Sequence, residues 1–175
     1  RFPWTHAGAV ATGALASLTG YHLMAGHLPW DLPATSALMI QTIFGGTSSA
    51  VLAVFSGVLA GAAARFAKTQ QPDDAREYGW GTAAVATVSI IGSAAAAWFE
   101  GGMSVPVAMV IFGIYGLACL AGNFWVRVPA VSHAGLALLA GATLWCMYWI
   151  VPTPAPIWAA VIGIEALALA LVGLR

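Results

Sequence analysis

Charged side chains are scarce in this chain. Only 7% of its 175 residues are Asp, Glu, Lys or Arg, whereas 61% are hydrophobic and the mean hydropathy is +0.88. An ordinary soluble domain carries roughly 25% charged residues, so this composition excludes a water-soluble protein. The six basic and six acidic residues cancel to a net charge of zero, and the basic residues are scattered. Both features argue against a nucleic-acid partner.

Cysteines and catalytic motifs are nearly as scarce. Cys119 and Cys146 lie within apolar stretches and not in a C-x-x-C arrangement, so we interpret them as small hydrophobic residues and expect no disulfide framework and no iron–sulfur site. Ser/His/Asp and Cys/His constellations, phosphate loops and carboxylate pairs are absent, and we predict that the protein is not an enzyme. The first apolar stretch is too long for a cleaved signal peptide.

Six apolar stretches account for most of the chain, and each is long enough for a membrane-spanning helix of about 20 residues. The predicted spans cover about 7–27, 35–64, 80–99, 104–125, 131–151 and 155–174. Prolines that cannot donate to a helix ladder separate some of them, as Pro29 and Pro33 do after span 1. The sequence therefore predicts an all-α fold, a bundle of six transmembrane helices in a lipid bilayer.

The basic residues are confined to alternate gaps between these spans. They are Arg1, Arg65, Lys68, Arg76, Arg127 and Arg175. Lys and Arg are retained on the cytoplasmic side of a bilayer, whereas acidic residues hardly affect orientation. The alternation predicts a multi-pass protein of the cell inner (plasma) membrane with both termini cytoplasmic.

Span 2 is longer than a crossing requires, at about 30 residues where about 20 suffice. Its polar patch runs from Gln41 to Ser49 and contains Gly45 and Gly46. The helix either begins outside the lipid or is interrupted at the glycine pair, where its backbone must face protein or a water-filled cavity. We favour a continuous helix with the polar patch turned inward.

A weak repeat relates the odd-numbered spans. A His-Ala-Gly tripeptide opens span 1 at His6 and span 5 at His133, and span 3 begins with a looser version. The repeating unit would be a two-helix hairpin used three times in parallel, although Ala-rich sequences also match by chance. Gly57 and Gly61 form a G-x-x-x-G motif, which is typical of helices in close contact within or between protomers.

Glu165 is the most informative side chain. It lies near the middle of span 6, roughly 15 Å from either end at a rise of 1.5 Å per residue. Inserting a carboxylate at that depth costs at least about 2.5–3.5 kcal/mol, and no Lys or Arg lies inside a span to neutralise it. Glu165 either bonds a neighbouring helix or lines a pore or proton relay in a hydrated cavity, and we favour the second interpretation.

The polar patch of span 2 extends this hypothesis. Hydroxyls in a span usually bond the carbonyl four residues back, but Thr47, Ser48 and Ser49 are too densely placed for all of them to do so. We therefore predict that these three residues line the path together with Gln41 and Glu165.

Topology permits only two pairs among the four histidines to act together as ligands of a haem or a metal, one pair at each membrane face. His22 and His27 lie near the outer face, and His6 and His133 lie near the inner face. Neither pair has a metal-ligand spacing such as H-E-x-x-H, so we predict no metal and no other cofactor. We interpret His22 and His133 as anchoring or pH-sensing residues, because an imidazole titrates near neutral pH.

The chain resembles the acetate uptake transporters (the succinate–acetate permease family) over nearly its whole length. The features are His22 followed by a Trp30-Asp31 turn, Ile-Phe-Gly-Gly from Ile43, and Tyr-Gly-Trp from Tyr78. The family's Asn-Pro-Ala-Pro-Leu signature before span 1 is missing. The resemblance implies a homohexamer with one pore in each protomer.

A second resemblance is to the amide–urea channels, which are also hexamers of three hairpins. Trp145, Tyr148, Trp149 and Glu165 are similar in type to residues of that family's last two helices. This resemblance implies a pore for a small neutral solute.

These features together predict a channel or secondary transporter for a small polar or weakly acidic solute, such as a monocarboxylate, in a homo-oligomer. Desolvating a carboxylate anion is costly, so passage as the neutral acid or with a proton is the easier route. The alternative is a non-catalytic accessory subunit of a larger membrane complex, associated with haem or pigment through a histidine. The shortage of charge within the spans favours that alternative.

Overall fold

The computed structural model describes residues 4–28, 45–150, 157 and 160–164. Five long helices make up most of this part of the chain: α1 (Trp4–Met24), α2 (Gly46–Lys68), α3 (Pro72–Phe99), α4 (Ser104–Val126) and α5 (Pro129–Ile150). Residues 160–164 are also helical, and no strand occurs among the residues described. The prediction of an all-α fold is confirmed for these residues.

Four of the five helices are long and apolar enough to cross a membrane, namely α2, α3, α4 (over Ser104–Phe124) and α5. Large apolar side chains cover their outer surfaces, as at Val54, Trp98 and Phe124, which are 72%, 74% and 79% exposed. Soluble monomers rarely expose such extensive apolar surface, whereas lipid solvates it. The chain is a multi-pass membrane protein.

The predicted number of six crossings rests on two further spans. Helix α1 has the required length of 21 residues, but it is not among the helices that contain an apolar stretch long enough to cross a membrane. Most of span 6 lies outside the described residues, and so does the first part of span 2. Six crossings therefore stay a prediction.

Helix α3 begins at Pro72 and not at about 80, as predicted. Proline is favoured in a first helical turn because its missing N–H is not needed there. Asp73 and Asp74 follow in the same turn, where carboxylates stabilise the positive end of the helix dipole. The residues that directly precede predicted span 3 therefore form a helix N-terminus.

Helix α2 begins at Gly46, and Gly45 precedes it with an extended backbone at φ −71° and ψ 155°. The backbone thus departs from the continuous helix that we favoured for span 2. Glycine loses more conformational entropy inside a helix than any other residue, so a glycine pair is a favourable place for a helix to start.

Residues 1–100 contribute one compact unit, in which α1 packs on the antiparallel hairpin of α2 and α3. The ring of Phe66 stacks on Tyr78 with centroids 5.2 Å apart near the hairpin turn. Helix α1 approaches α3 closely at Gly81, where an added Cβ would lie 2.9 Å from Val10 Cγ2. The buried core of the unit consists of Val10, Leu18, Leu52, Leu59 and Val85.

The second unit begins at Gly101 and contains the hairpin of α4 and α5. Gly116 and Gly135 let the two backbones meet, since a Cβ on Gly135 would lie 3.0 Å from the Gly116 carbonyl oxygen. At the turn, the Asn123 amide accepts a bond from the Val128 N–H at 2.7 Å and donates to Ser132 Oγ at 2.6 Å. Small residues and interhelical hydrogen bonds thus hold this hairpin, as is usual in membranes.

Candidate functional site

The end of α1 turns back on itself and brings His27 to His22. Gly26 adopts the left-handed conformation at φ 72°, which glycine reaches without steric cost. The His27 N–H donates to the His22 carbonyl at 2.9 Å, and the Gly26 N–H donates to the Leu23 carbonyl at 3.2 Å. These two bonds are a Schellman motif, and the motif places the two histidines on one side of the helix end.

The two imidazoles are in direct contact. His22 Nδ1 and His27 Nδ1 are 3.1 Å apart, and the ring centroids are separated by 5.3 Å at an angle of 46°. Tyr21 lies edge-on to both rings, with centroid distances of 5.1 Å to His22 and 6.2 Å to His27. His22 and His27, one of the two histidine pairs that topology permits, are therefore direct neighbours.

His22 also reaches across to α2. Its Nε2 lies 2.7 Å from Ser48 Oγ, and the two residues are 4% and 0% exposed. Ser48 is in the first turn of α2, so the start of that helix after Gly45 determines where its hydroxyl points. Hydrogen bonds thus connect exposed His27 to buried His22 and on to fully buried Ser48, and we call this series the histidine–serine relay.

The relay can carry a proton inward. A neutral imidazole has one N–H donor and one acceptor nitrogen, so only one of the two Nδ1 atoms holds a proton when they bond each other. If His27 takes up a proton from bulk water at Nε2 and passes its Nδ1 proton to His22 Nδ1, His22 Nε2 can pass its own proton to Ser48 Oγ, provided that the Ser48 hydroxyl releases its proton in the same step. Transfer at one nitrogen therefore reverses the direction of the bond at the other.

Small polar residues continue this layer from α2 to α3. Ser89 Oγ donates to the Ser49 carbonyl at 2.7 Å, and Ser49 Oγ donates to the Gly45 carbonyl at 3.2 Å. Gly92 leaves room for Ser49, because an added Cβ would lie 2.7 Å from Ser49 Oγ. Ser49 and Ser89 are fully buried. The three helices of the first unit therefore meet in a polar layer at one end.

The layer lies at the end of the unit opposite the basic residues. Ser48 is in the first turn of α2 and Lys68 is its last residue, a separation of about 30 Å along the helix at 1.5 Å per residue. Arg65 is also in the last turn of α2, and Arg76 is near the start of α3. On the predicted topology, the relay is at the outer face of the membrane.

The residues predicted to line a path have different positions. Ser48 and Ser49 are buried in the polar layer, whereas Thr47 is exposed. Gln41 and Glu165 lie outside the described residues. The structure therefore brings together only two of the five, and their pore-lining role stays a prediction.

His6 and His133, which we predicted at the inner face, have other neighbours. His6 Nε2 lies 3.3 Å from Asp74 Oδ1, and its ring is edge-on to Tyr78 at 5.6 Å. His133 is exposed in the first turns of α5, in the second unit. An anchoring or pH-sensing role for His133 stays a prediction.

Most other hydroxyls in the described helices donate to a carbonyl three or four residues back in their own helix. They are those of Thr12, Ser17, Ser56, Thr82, Thr87, Ser93 and Thr143. This is the usual behaviour of hydroxyls in a span. Ser48 differs from them, because its hydroxyl contacts a side chain of another helix.

Sequence reasoning did not place His27 or Ser89 in the site. Gly26 was the available signal for His27, since a glycine just after a helix predicts a turn that returns the next residue to the last helical turn. No local signal indicates the contact of Ser89, which crosses 40 residues of sequence. Across the ranges that the structure describes, no group of three or more His, Cys, Asp or Glu residues could hold a metal ion.

Comparison of the chain with family models, with curated proteins and with solved structures found no match.

Proposed function

We propose that the protein is a proton-coupled transporter or channel for a small polar or weakly acidic solute of the monocarboxylate type. The observation that supports this function is the histidine–serine relay, which leads from a surface imidazole to a buried hydroxyl between α1 and α2. A carboxylate is costly to desolvate, and a proton delivered at the outer end would let it pass as the neutral acid. Transport, and not catalysis, is the activity that we infer.

The proposal includes the finer topology and assembly. Six crossings in the cell inner membrane with both termini cytoplasmic would put the relay outside, where a solute and a proton arrive together. A homo-oligomer is supported by Gly57 and Gly61, because an added Cβ at either glycine meets no atom within 4 Å. Their G-x-x-x-G motif is therefore free to pack on a second copy.

Solute uptake by liposomes tests the proposal. Purified protein is reconstituted, and uptake of radiolabelled lactate and urea is measured with and without an inward proton gradient. We expect the gradient to stimulate lactate uptake by the native protein, and we expect His27→Gln to abolish the stimulation. His6→Gln, at the other end of α1, is the matched control and should retain it.

Three results would count against the proposal. Uptake of both solutes equal to that of protein-free liposomes would exclude transport of this class. If the gradient stimulates lactate uptake by His27→Gln as much as by the native protein, transport does not depend on the relay. Uptake of urea alone, independent of the gradient, would favour the neutral-solute pore implied by the resemblance to amide–urea channels.

A second candidate function is that of an accessory subunit of a larger membrane complex. It is supported by the many hydroxyls that bond their own helix, as those of Thr12 and Thr143 do, because such hydroxyls leave little polar surface for a solute. A haem or pigment absorbance band in the purified protein, or co-purification with large partner subunits, would favour this candidate.

A further inference from the structure

A cavity of about 450 Å³ lies between α1 and α3 in the first unit. Its walls are almost entirely alkyl groups, among them Val10, Leu15, Leu18, Ala84 and Val88. The lining extends over residues 7–18 of α1 and 77–88 of α3, a length of about 16 Å at 1.5 Å per residue. The cavity thus fits an elongated apolar body.

One end of the cavity carries a negative charge and an aromatic ring. Glu77 and Trp80 both line it, and residues three apart on a helix are neighbours on one face. Glu77 is half-buried and has no side-chain hydrogen bond or ion pair with the residues that the structure describes. A carboxylate beside an apolar wall is costly unless a partner neutralises it.

None of the charged side chains near Glu77 in the first turns of α3 neutralises it. Asp74 lies one turn earlier in α3 and pairs with His6 at 3.3 Å. Asp73 and Arg76 are exposed and do not line the cavity. The Glu77 carboxylate therefore lines a cavity in which no other lining side chain donates a hydrogen bond to it.

We propose that this cavity binds an amphiphilic organic cation, an amine or a quaternary ammonium with an apolar body. The body fills the alkyl-lined length, and the cationic group lies against the Glu77 carboxylate and the Trp80 ring. Carboxylates and indole faces both attract such cations. An anionic amphiphile is repelled by Glu77, and a lipid acyl chain has no group that satisfies the carboxylate. The inference is independent of the histidine–serine relay and of the proposed transport.

Binding of three probes that share an eight-carbon chain tests this site. Octylammonium, octyl sulfate and octanol are titrated calorimetrically into the protein in zwitterionic lipid nanodiscs, with empty nanodiscs as the blank. We expect the cation to bind about tenfold more tightly than the sulfate, since a single charge-assisted contact accounts for a difference of that order.

Variants identify the contacts. Glu77→Gln should weaken binding of the cation about tenfold and leave octanol unchanged, and Trp80→Leu should weaken it by a smaller factor. Asp73→Asn is the matched control, because Asp73 is an exposed carboxylate on the same helix outside the cavity, and it should change nothing. Ala84→Leu fills the cavity and should weaken all three probes.

Two outcomes would overturn the inference. Equal affinity for the cation and the sulfate in the native protein would mean that the cavity discriminates by hydrophobicity alone. Cation binding that is unchanged in Glu77→Gln would mean that the alkyl chain alone holds the probe and that the cationic group does not contact Glu77.

Discussion

The bond between His22 and Ser48 predicts a measurable coupling between α1 and α2. The change is a double-mutant cycle of His22→Phe and Ser48→Ala, in which each variant keeps most of the side-chain volume and removes the bonding atoms. The bond is short, at 2.7 Å, and both residues are at least nine-tenths buried. Interhelical side-chain bonds in membranes contribute about 0.6 kcal/mol on average and about 1.7 at most. We expect a coupling of about 1–1.7 kcal/mol, in the upper part of that range.

The cycle isolates this bond from the other contacts of both residues. His22→Phe also removes the contact with His27 Nδ1, but Ser48→Ala leaves that contact in place, so its loss cancels in the cycle. The free energy of unfolding is measured for the native protein, both single variants and the double variant, in detergent titrations that are followed by tryptophan fluorescence.

A second cycle provides the control. Ser93 is as fully buried as Ser48, but its hydroxyl donates to the Ile90 carbonyl of its own helix at 2.9 Å. His22→Phe with Ser93→Ala should therefore be additive. If the His22 and Ser48 variants are also additive within about 0.3–0.5 kcal/mol, the range found for independent sites, then the bond does not couple the helices and our reasoning about the relay is refuted.

Two predictions concern the α4–α5 hairpin. Gly135→Ala should lower the free energy of unfolding by about 1–3 kcal/mol, because the new Cβ would lie 3.0 Å from a backbone oxygen that cannot move alone. Gly122→Ala in α4 is the control, because an added Cβ there meets no atom within 4 Å; it should be neutral or stabilising by up to about 1 kcal/mol, and equal losses for the two variants in chemical denaturation would contradict the packing. Asn123→Ala should speed amide exchange at Val128 and lower stability by about 1–2 kcal/mol, because it removes two hydrogen bonds at the turn; unchanged exchange at Val128 would argue against the cap.

Apolar patterning predicts the helices well where the chain is uniformly apolar. Helices α4 and α5 begin and end within about two residues of spans 4 and 5. Predicted span 3 begins after the start of α3 at Pro72, because apolar patterning does not include a charged first turn in a span. Asp73 and Asp74 are favourable in a first helical turn. For the same reason, Glu77 lay outside predicted span 3, and we assigned it no role.

The candidate site was predicted only in part, for a physical reason. The contact of His22 with His27 is local and follows from the chemistry of Gly26. The contact of His22 with Ser48 joins residues 26 positions apart, and it depends on how two helices pack and on where α2 begins. Apolar patterning does not contain that information, because lipid-facing and protein-facing positions are equally apolar here.

Glu165 lies outside the described residues, and its role as a pore or proton-relay residue stays a prediction with a clear test. If it faces a solvated path, its proton exchanges with bulk water, and Glu165→Gln should change solute flux or its pH dependence while the melting temperature stays the same. Glu165→Leu also removes the polar surface and should block passage. If Glu165 only bonds a neighbouring helix, Gln preserves much of a bond that contributes about 0.6–2 kcal/mol.

The two roles of Glu165 therefore differ in which property changes. Liposome flux of both variants is measured across about pH 5–8, the range in which histidines and perturbed carboxylates titrate, together with a melting curve. A path-lining Glu165 changes the flux and its pH profile, whereas a bonding Glu165 changes the melting temperature alone. Native flux in Glu165→Leu would remove Glu165 from the path and leave the histidine–serine relay as the proposed route of the proton.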